Sequence, residues 1–404
     1  MVYLGLVLLL GIPVMLSEFL IGRRAQRNAF GSFRLLAPGK KWWLVGVMGI
    51  AAAFMILAFY STIAGWTLEY LVKAFSNAFA GKSSDELGDM FQAFHTSAFR
   101  PLLWQVIFMA MTAGIILGGV RKGIEKYTKI LMPFLVLLLL IMAIRALTLP
   151  GAMGGINFLF RPDFSELNSR VFLSALGQAF FSLSIGMGTL ITYGSYISKS
   201  NNLNNISIEV SVVDTLIAIL AGVAIFPAVF AFGLDPAEGP GLIFHVLPNI
   251  FQQMPGGYFF AVIFFMLLVI AAVTSSISIL EVVVAYLVEE LQLARSKATL
   301  MAALAALFVG VFCTLSFGAL QGVTIGNLTI FGILDFTASN ILLPLGGLFI
   351  VLFVGWYLRD SDVKDELSNS GLLKLKVYKL FMFVLKFIAP VAIAIVFMHS
   401  IGLI

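Results

Sequence analysis

Long apolar runs alternate with short polar stretches along the whole chain. Ten runs are long enough to cross the hydrocarbon core, which takes about 20 apolar residues. They fall at 2–21, 42–73, 100–120, 128–149, 171–197, 209–233, 257–288, 298–317, 330–358 and 377–402. The runs are continuous and do not alternate between apolar and polar positions, which argues against the strands of a membrane barrel. Within lipid the backbone has to satisfy its own hydrogen bonds. The pattern therefore predicts an all-α polytopic membrane protein, with 1–404 forming a single transmembrane domain.

Composition sharpens this. Of 404 residues, 60% are hydrophobic and 11% charged, whereas a soluble chain is about a quarter charged. That excludes a soluble enzyme, a disordered chain and a nucleic-acid binder. The formal net charge of +5 reflects basic residues gathered in particular loops. A single cysteine, Cys313, and three scattered histidines, His95, His245 and His399, give neither a disulfide framework nor metal-ligand spacing. No nucleophile–base pair is evident, so no enzyme is expected.

The basic residues set an orientation, because loops rich in Lys and Arg face the cytoplasm. Most of the 25 Lys and Arg lie in alternate loops: 22–41, 121–129, Lys199, Arg295 with Lys297, and 359–379. Lys73, Lys82, Arg100, Arg145, Arg161 and Arg170 lie in the others. Ten spans then put both termini outside, in a multi-pass protein of the plasma membrane. A first span that starts at Met1 with no basic flank suggests that a preceding helix is absent. Trp42, Trp43 and Trp104 sit near span ends, as an interfacial belt expects. Trp66 and Trp356 are read as packing residues, His95 as solvated, His245 as structural and His399 as interfacial. The segment 359–376 is read as a charged loop.

Two spans carry polar chemistry. The fifth contains Gly177-Gln178-Ala179-Phe180-Phe181-Ser182-Leu183-Ser184-Ile185-Gly186-Met187-Gly188. Glycine costs about 1 kcal/mol against alanine inside a helix, so this stretch marks either a break between half-helices or a kink packed through small residues. An unwound stretch at that depth has to line a cavity or be buried in protein. In the seventh span Thr274, Ser278 and Glu281 share one helix face. Their hydroxyls suit a hard monovalent cation, or they bond back to the preceding turn. Four acids lie in the spans, Glu18, Asp214, Glu281 and Asp335, and such acids are functional candidates.

Several motifs, in order, resemble the sodium:neurotransmitter symporter family. Leu10-Gly11-Ile12-Pro13 through Glu18 to Gly22-Arg23 resembles the family's second helix. Gly65-Trp66-Thr67 resembles its third helix, and Gly123 to Pro133 matches a Gly-x9-Pro motif of its fifth. Gly177 to Ser184 resembles its broken sixth helix, Gly239-Pro240-Gly241 its external lid, and Thr274-Ser275-Ser276 its eighth helix. The resemblance implies a LeuT-type bundle of inverted repeats. It places family helices 2 to 11 here, with residues 234–256 as the extracellular lid and the family's first helix missing.

The resemblance also implies site residues. Sodium 1 takes Ser182 and Asp214; sodium 2 takes the Ala271 carbonyl, Thr274 and Ser275. Substrate meets Ile56, Tyr60, Phe181, Ser182, Ser184, Met187, Ser275 and Ile279, with Tyr60 on the substrate carboxylate and Phe181 as lid of the pocket. Asp335 and Gln178 belong to the outer gate, Glu289 and Tyr196 to the inner gate. Gly123, Pro133, Gly186 and Gly188 are hinges. The family's chloride positions match Tyr3, Gln178, Ser182 and Ala218. Ala218 has no hydroxyl to donate, and Asp214 one turn earlier supplies a fixed negative charge, so no chloride dependence is expected. The implied function is sodium-coupled symport of amino acids, bulky hydrophobic ones from the apolar pocket, with transport deficient while each sodium site is incomplete. The competing reading is an amino-acid-responsive receptor or partner-binding protein on the same scaffold. Oligomeric state is not legible.

Overall fold

The computed structural model describes residues 2–162, 164–165, 167–233, 239–375 and 377–403. Met1, residues 234–238 of the predicted lid and Lys376 lie outside them. Among the described residues nine helices are long and apolar enough to cross a membrane. With the shorter helices between them, the elements run as follows. Helix α1 (Val2–Ala25) leads through α2 (Ala29–Leu36) to α3 (Trp43–Phe75). Next come α4 (Ser84–His95), α5 (Phe99–Leu117), α6 (Lys122–Leu147) and α7 (Met153–Phe160). The fifth predicted span is two helices, α8 (Ser169–Ser182) and α9 (Thr189–Tyr196). Then follow α10 (Leu203–Ala231), α11 (Leu247–Gln253), α12 (Gly257–Glu289) and α13 (Arg295–Leu315). The chain ends with α14 (Ile330–Tyr357), α15 (Asp360–Leu367) and α16 (Tyr378–Ser400). The only strands among the described residues, Thr324–Ile325 and Leu328–Thr329, form one antiparallel hairpin before α14.

Two packing groups matter for the site. Helix α3 packs along α12, α5 and α13, around a core that includes Ile56, Phe108, Ile277 and Ala306. Helix α1 packs along α9, with the ends of α14 and α16 completing a second core. A third core of Trp66, Tyr70, Phe94, Phe244 and Phe265 closes the end away from the basic loops.

The predicted loop at 359–376 is in part a helix. In α15, Val363, Glu366 and Leu367 are buried and Asp360 and Asp362 favour its N-terminal end. Eight residues are too few for this periodicity to stand out in the sequence. Arg23, 1% exposed at the end of α1, meets Glu366 at 2.6 Å and also donates to the carbonyls of Asn201 and Glu366. Lys199 reaches the same carboxylate at 3.0 Å. Removing one partner of a buried pair costs about 3–5 kcal/mol, while replacing both by apolar groups costs far less. Glu366→Ala is therefore expected to lower the thermal unfolding midpoint in detergent sharply, and Arg23→Met with Glu366→Leu to recover most of the loss.

Two other expectations change. His95 is not simply solvated: its Nδ1 lies 2.8 Å from the Phe91 carbonyl and its ring packs on Trp66 and Phe317. Trp356 is 61% exposed and donates from Nε1 to the Lys386 carbonyl, so it edges the bundle. Trp66 is buried, as expected.

Candidate functional site

The break between α8 and α9 organises the centre of the molecule. Ser184, Gly186 and Gly188 have φ of +57°, +85° and +73°. Three left-handed residues within five positions cannot continue a right-handed helix. The last turn of α8 closes through Ile185 N–H to the Phe180 carbonyl at 2.9 Å, and Gly188 starts α9. Gly186 is pinned on both sides. Its N–H donates to Glu18 Oε1 at 2.7 Å, and an added Cβ would come within 2.4 Å of the Leu343 carbonyl oxygen. Glu18 is wholly buried, and its Oε2 has no partner among the described residues.

Two polar clusters flank the break. In the first, Tyr3 OH donates to Ser182 Oγ at 3.2 Å and Ser182 donates to Asp214 Oδ2 at 2.7 Å. The two residues assigned to sodium 1 are thus in direct contact. Of the four chloride positions, Tyr3 and Ser182 meet here with the Asp214 carboxylate beside them; Gln178 and Ala218 are exposed. In the second cluster, on α12, Ser275 is exposed and lies near Tyr60 of α3. Thr274 Oγ1 lies 3.0 Å from the carbonyls of both Ile270 and Ala271. The bond back to the preceding turn is therefore made, but it uses the hydroxyl proton and leaves acceptor lone pairs for a cation.

Around these clusters Ile56, Met187 and Ile279 are buried in one apolar core, Ser184 is half-buried and Phe181 is 42% exposed. Gln178 and Asp335 line one cavity of about 280 Å³ together with Phe181, Asn340 and Ser400; Ser339 donates to Asp335 at 3.0 Å. The hinge glycine Gly123 lies against the end of α5, where an added Cβ would come within 2.1 Å of the Ile115 carbonyl oxygen, and Pro133 lies inside α6.

At the basic end the partners differ from expectation. Tyr196 donates to Glu281 at 2.8 Å, and Glu289 instead accepts from the backbone and side-chain nitrogens of Asn28. Glu281 is wholly buried and paired with Arg295 at 2.6 Å. Arg295, read from the sequence only as a loop charge, also donates to the Ile116 carbonyl. Tyr193, donating to Ser278 at 2.8 Å, was not singled out by any pattern either. Aromatic residues one turn apart on α9 facing Ser278 and Glu281 on α12 are visible only once the two helices are paired.

A family model described as the sodium:neurotransmitter symporter family matches residues 1–90 and 92–403. A sodium-dependent transporter of Bacillus subtilis (strain 168), YhdH, is 39% identical over 403 residues, covering 100% of this chain and 89% of the relative. A sodium-dependent transporter of Haemophilus influenzae is 37% identical over 97% of this chain and 88% of its own length. Among solved structures, MhsT in complex with L-phenylalanine superposes with a TM-score of 0.91 at 48% identity, covering 99% of this chain and 90% of that one. The bundle with its broken central helix thus has the LeuT-type architecture. The relatives are transporters and not enzymes, and sodium is the coupling ion. This chain belongs to the sodium:neurotransmitter symporter family.

Proposed function

We propose that the chain is a plasma-membrane symporter that couples uptake of a bulky hydrophobic L-amino acid to sodium by alternating access. The observation that carries this reading is the pairing of Ser182 with Asp214 at the edge of the unwound segment. MhsT, holding L-phenylalanine in its solved structure, supports the substrate class. So do the apolar side chains of Ile56, Met187 and Ile279, since methionine adapts to varied shapes.

In this reading Asp214 and Ser182 hold one sodium, and the Ala271 carbonyl with Thr274 and Ser275 holds a second. Tyr60 donates to the substrate carboxylate and Phe181 covers the pocket. Gln178 and Asp335 close the outer side; Tyr196 and Glu289 belong to the inner side; the lid is the segment 234–256. Each charge carried across 100 mV contributes about 2.3 kcal/mol, so two ions drive steep accumulation. Two or three protein oxygens per site make a sparse shell beside the six to eight that calcium, another hard cation, takes. The same proposal therefore includes incomplete sodium sites and deficient transport. Opening at Gly123–Pro133 would admit water to the second ion.

The test is equilibrium binding of labelled L-phenylalanine to the purified chain with and without sodium. Binding is expected to require sodium and to fall at least about tenfold in Asp214→Ala and in Ser275→Ala, as the loss of a charge-assisted contact predicts. Sodium-independent binding unaffected by either change would sink the symporter reading and favour a receptor. Replacing chloride by gluconate is expected to change binding less than about twofold, because the Asp214 carboxylate already supplies the local negative charge. A chloride requirement would refute that part.

A further inference from the structure

Helix α5 contributes no residue to the proposed substrate or sodium contacts, yet it carries two wholly buried polar side chains, Gln105 and Thr112. They are seven residues apart and share one helix face. We propose that α5 is a positioning strut for the pocket: Gln105 fixes Tyr60, and Thr112 fixes Ser275, each through the neighbouring residue on the same helix. This rests on the reading of Tyr60 and Ser275 as pocket residues.

The first junction is a directed chain of hydrogen bonds. Thr62 Oγ1 lies 2.9 Å from Thr314 Oγ1, and Thr314 donates to Gln105 Oε1 at 2.8 Å. Gln105 Nε2 donates to Ser61 Oγ at 2.8 Å, and Ser61 donates to the Ala58 carbonyl at 2.8 Å. With Thr62 as donor to Thr314, each hydroxyl donates once, and the amide has one orientation that satisfies its neighbours. Ser61, Thr62 and Thr314 are buried as completely as Gln105. The glutamine enters where two helices lack side chains. A Cβ on Gly65 would lie 2.8 Å from Gln105 N, and one on Gly310 would lie 2.3 Å from Gln105 Nε2. Ser61 and Thr62 directly follow Tyr60 on α3, so anchoring them sets the rotation of the helix and hence the direction of Tyr60.

The second junction joins Thr112 Oγ1 to Ser276 Oγ at 2.9 Å. Ser276 directly follows Ser275 on α12. Tyr60 and Ser275 lie near one another, so the two junctions act on the same part of the pocket from α3 and α12. Interhelical polar contacts of this kind fix register where hydrophobic contact alone does not, because lipid-facing and protein-facing apolar surfaces are alike.

A double-mutant cycle tests the first junction, read as binding of labelled L-phenylalanine to the full chain at saturating sodium. Gln105→Met keeps length and removes the amide; it is expected to weaken binding about tenfold, and Tyr60→Phe by at least as much. The double variant is expected to bind within about threefold of Tyr60→Phe alone, because Gln105 acts through Tyr60. Full additivity, or Gln105→Met within twofold of wild type, overturns the proposal. A neutral Tyr60→Phe, or no binding by the wild type, overturns the pocket reading instead.

A measurement without ligand decides the second junction. Maleimide labelling of Ser275→Cys is expected to change at least about threefold in rate with Thr112→Val and to return to the parent rate with Thr112→Ser, which keeps the hydroxyl. Labelling of Leu372→Cys, exposed in the charged segment between α15 and α16, stays unchanged in both. An unaltered Ser275→Cys rate in Thr112→Val overturns the strut, and a change shared by Leu372→Cys overturns it too, as general loosening.

Discussion

Gly186→Ala is expected to abolish sodium-dependent binding of L-phenylalanine while Gly177→Ala leaves it intact. Both residues are glycines of the α8–α9 region, but their surroundings differ. Gly177 has nothing within 4 Å of an added Cβ. Gly186 has φ of +85°, and its added Cβ would press to within 2.4 Å of the Leu343 carbonyl oxygen. A left-handed conformation costs a residue with a Cβ roughly 1–2 kcal/mol, and overpacking adds about 1–3 kcal/mol. The opposing atom is backbone, next to Gly346, whose own added Cβ would meet the Gly186 carbonyl oxygen at 2.7 Å. Relief therefore requires moving α14 or the break itself. The sum, about 2–5 kcal/mol, is a loss of thirtyfold or more at tenfold per 1.4 kcal/mol. The movement would also break the bond from Gly186 N–H to Glu18. Wild-type affinity in Gly186→Ala would mean that the break tolerates displacement and does not fix the pocket. Ser184→Gly provides the opposite case, since a glycine accepts φ of +57° more readily than serine; it is expected to fold at least as well.

Arg295→Ala is expected to be strongly destabilising. Glu281 is wholly buried, and both its oxygens are held by Arg295, at 3.1 and 2.6 Å. Removing the guanidinium leaves a buried carboxylate with the Tyr196 hydroxyl as its remaining described partner, at a cost of about 3–5 kcal/mol. Lysine is a poor substitute, because one ammonium cannot span two carboxylate oxygens and the Ile116 carbonyl together. The double variant Arg295→Met with Glu281→Gln removes both charges and is expected to recover most of the thermal midpoint lost by Arg295→Ala. A midpoint in Arg295→Ala equal to wild type would show that water already carries the charge of Glu281. The functional consequence follows from position. Arg295 joins α12, through Glu281, to the end of α5 beside the Gly123 hinge, and Glu281 in turn holds Tyr196 of α9. Loss of Arg295 thus frees three elements at once, and faster labelling of Ser195→Cys from that face is the expected sign.

Most of the span pattern was legible because crossing hydrocarbon is a one-dimensional demand: about 20 apolar residues in a row, met nine times as continuous helices. The disturbance in the fifth span was legible too, since glycines and serines in an apolar run carry their cost locally, but a kink fitted them as well as a break until the left-handed Ser184, Gly186 and Gly188 decided it. Asp214 and Ser182 stood out as polar residues in lipid, and the structure joins them. Helix α15 escaped notice because a short, highly charged helix is stabilised by Arg23, 343 residues away from its Glu366 partner. The resemblance put Tyr196 with Glu289 at the inner gate, whereas packing gives its hydroxyl to Glu281.

The sequence by itself determined that this is a helical membrane protein, where its central helix is disturbed and which family it resembles, because each follows from local composition or ordered motifs. Only the tertiary structure decided which polar groups meet: Glu18 with Gly186, Arg295 with Glu281, Gln105 with Ser61 and Thr314. A buried polar side chain announces that it needs a partner, since leaving it unpaired is costly. Which partner it finds depends on the rotation and depth at which helices pack, and no stretch of one helix specifies that.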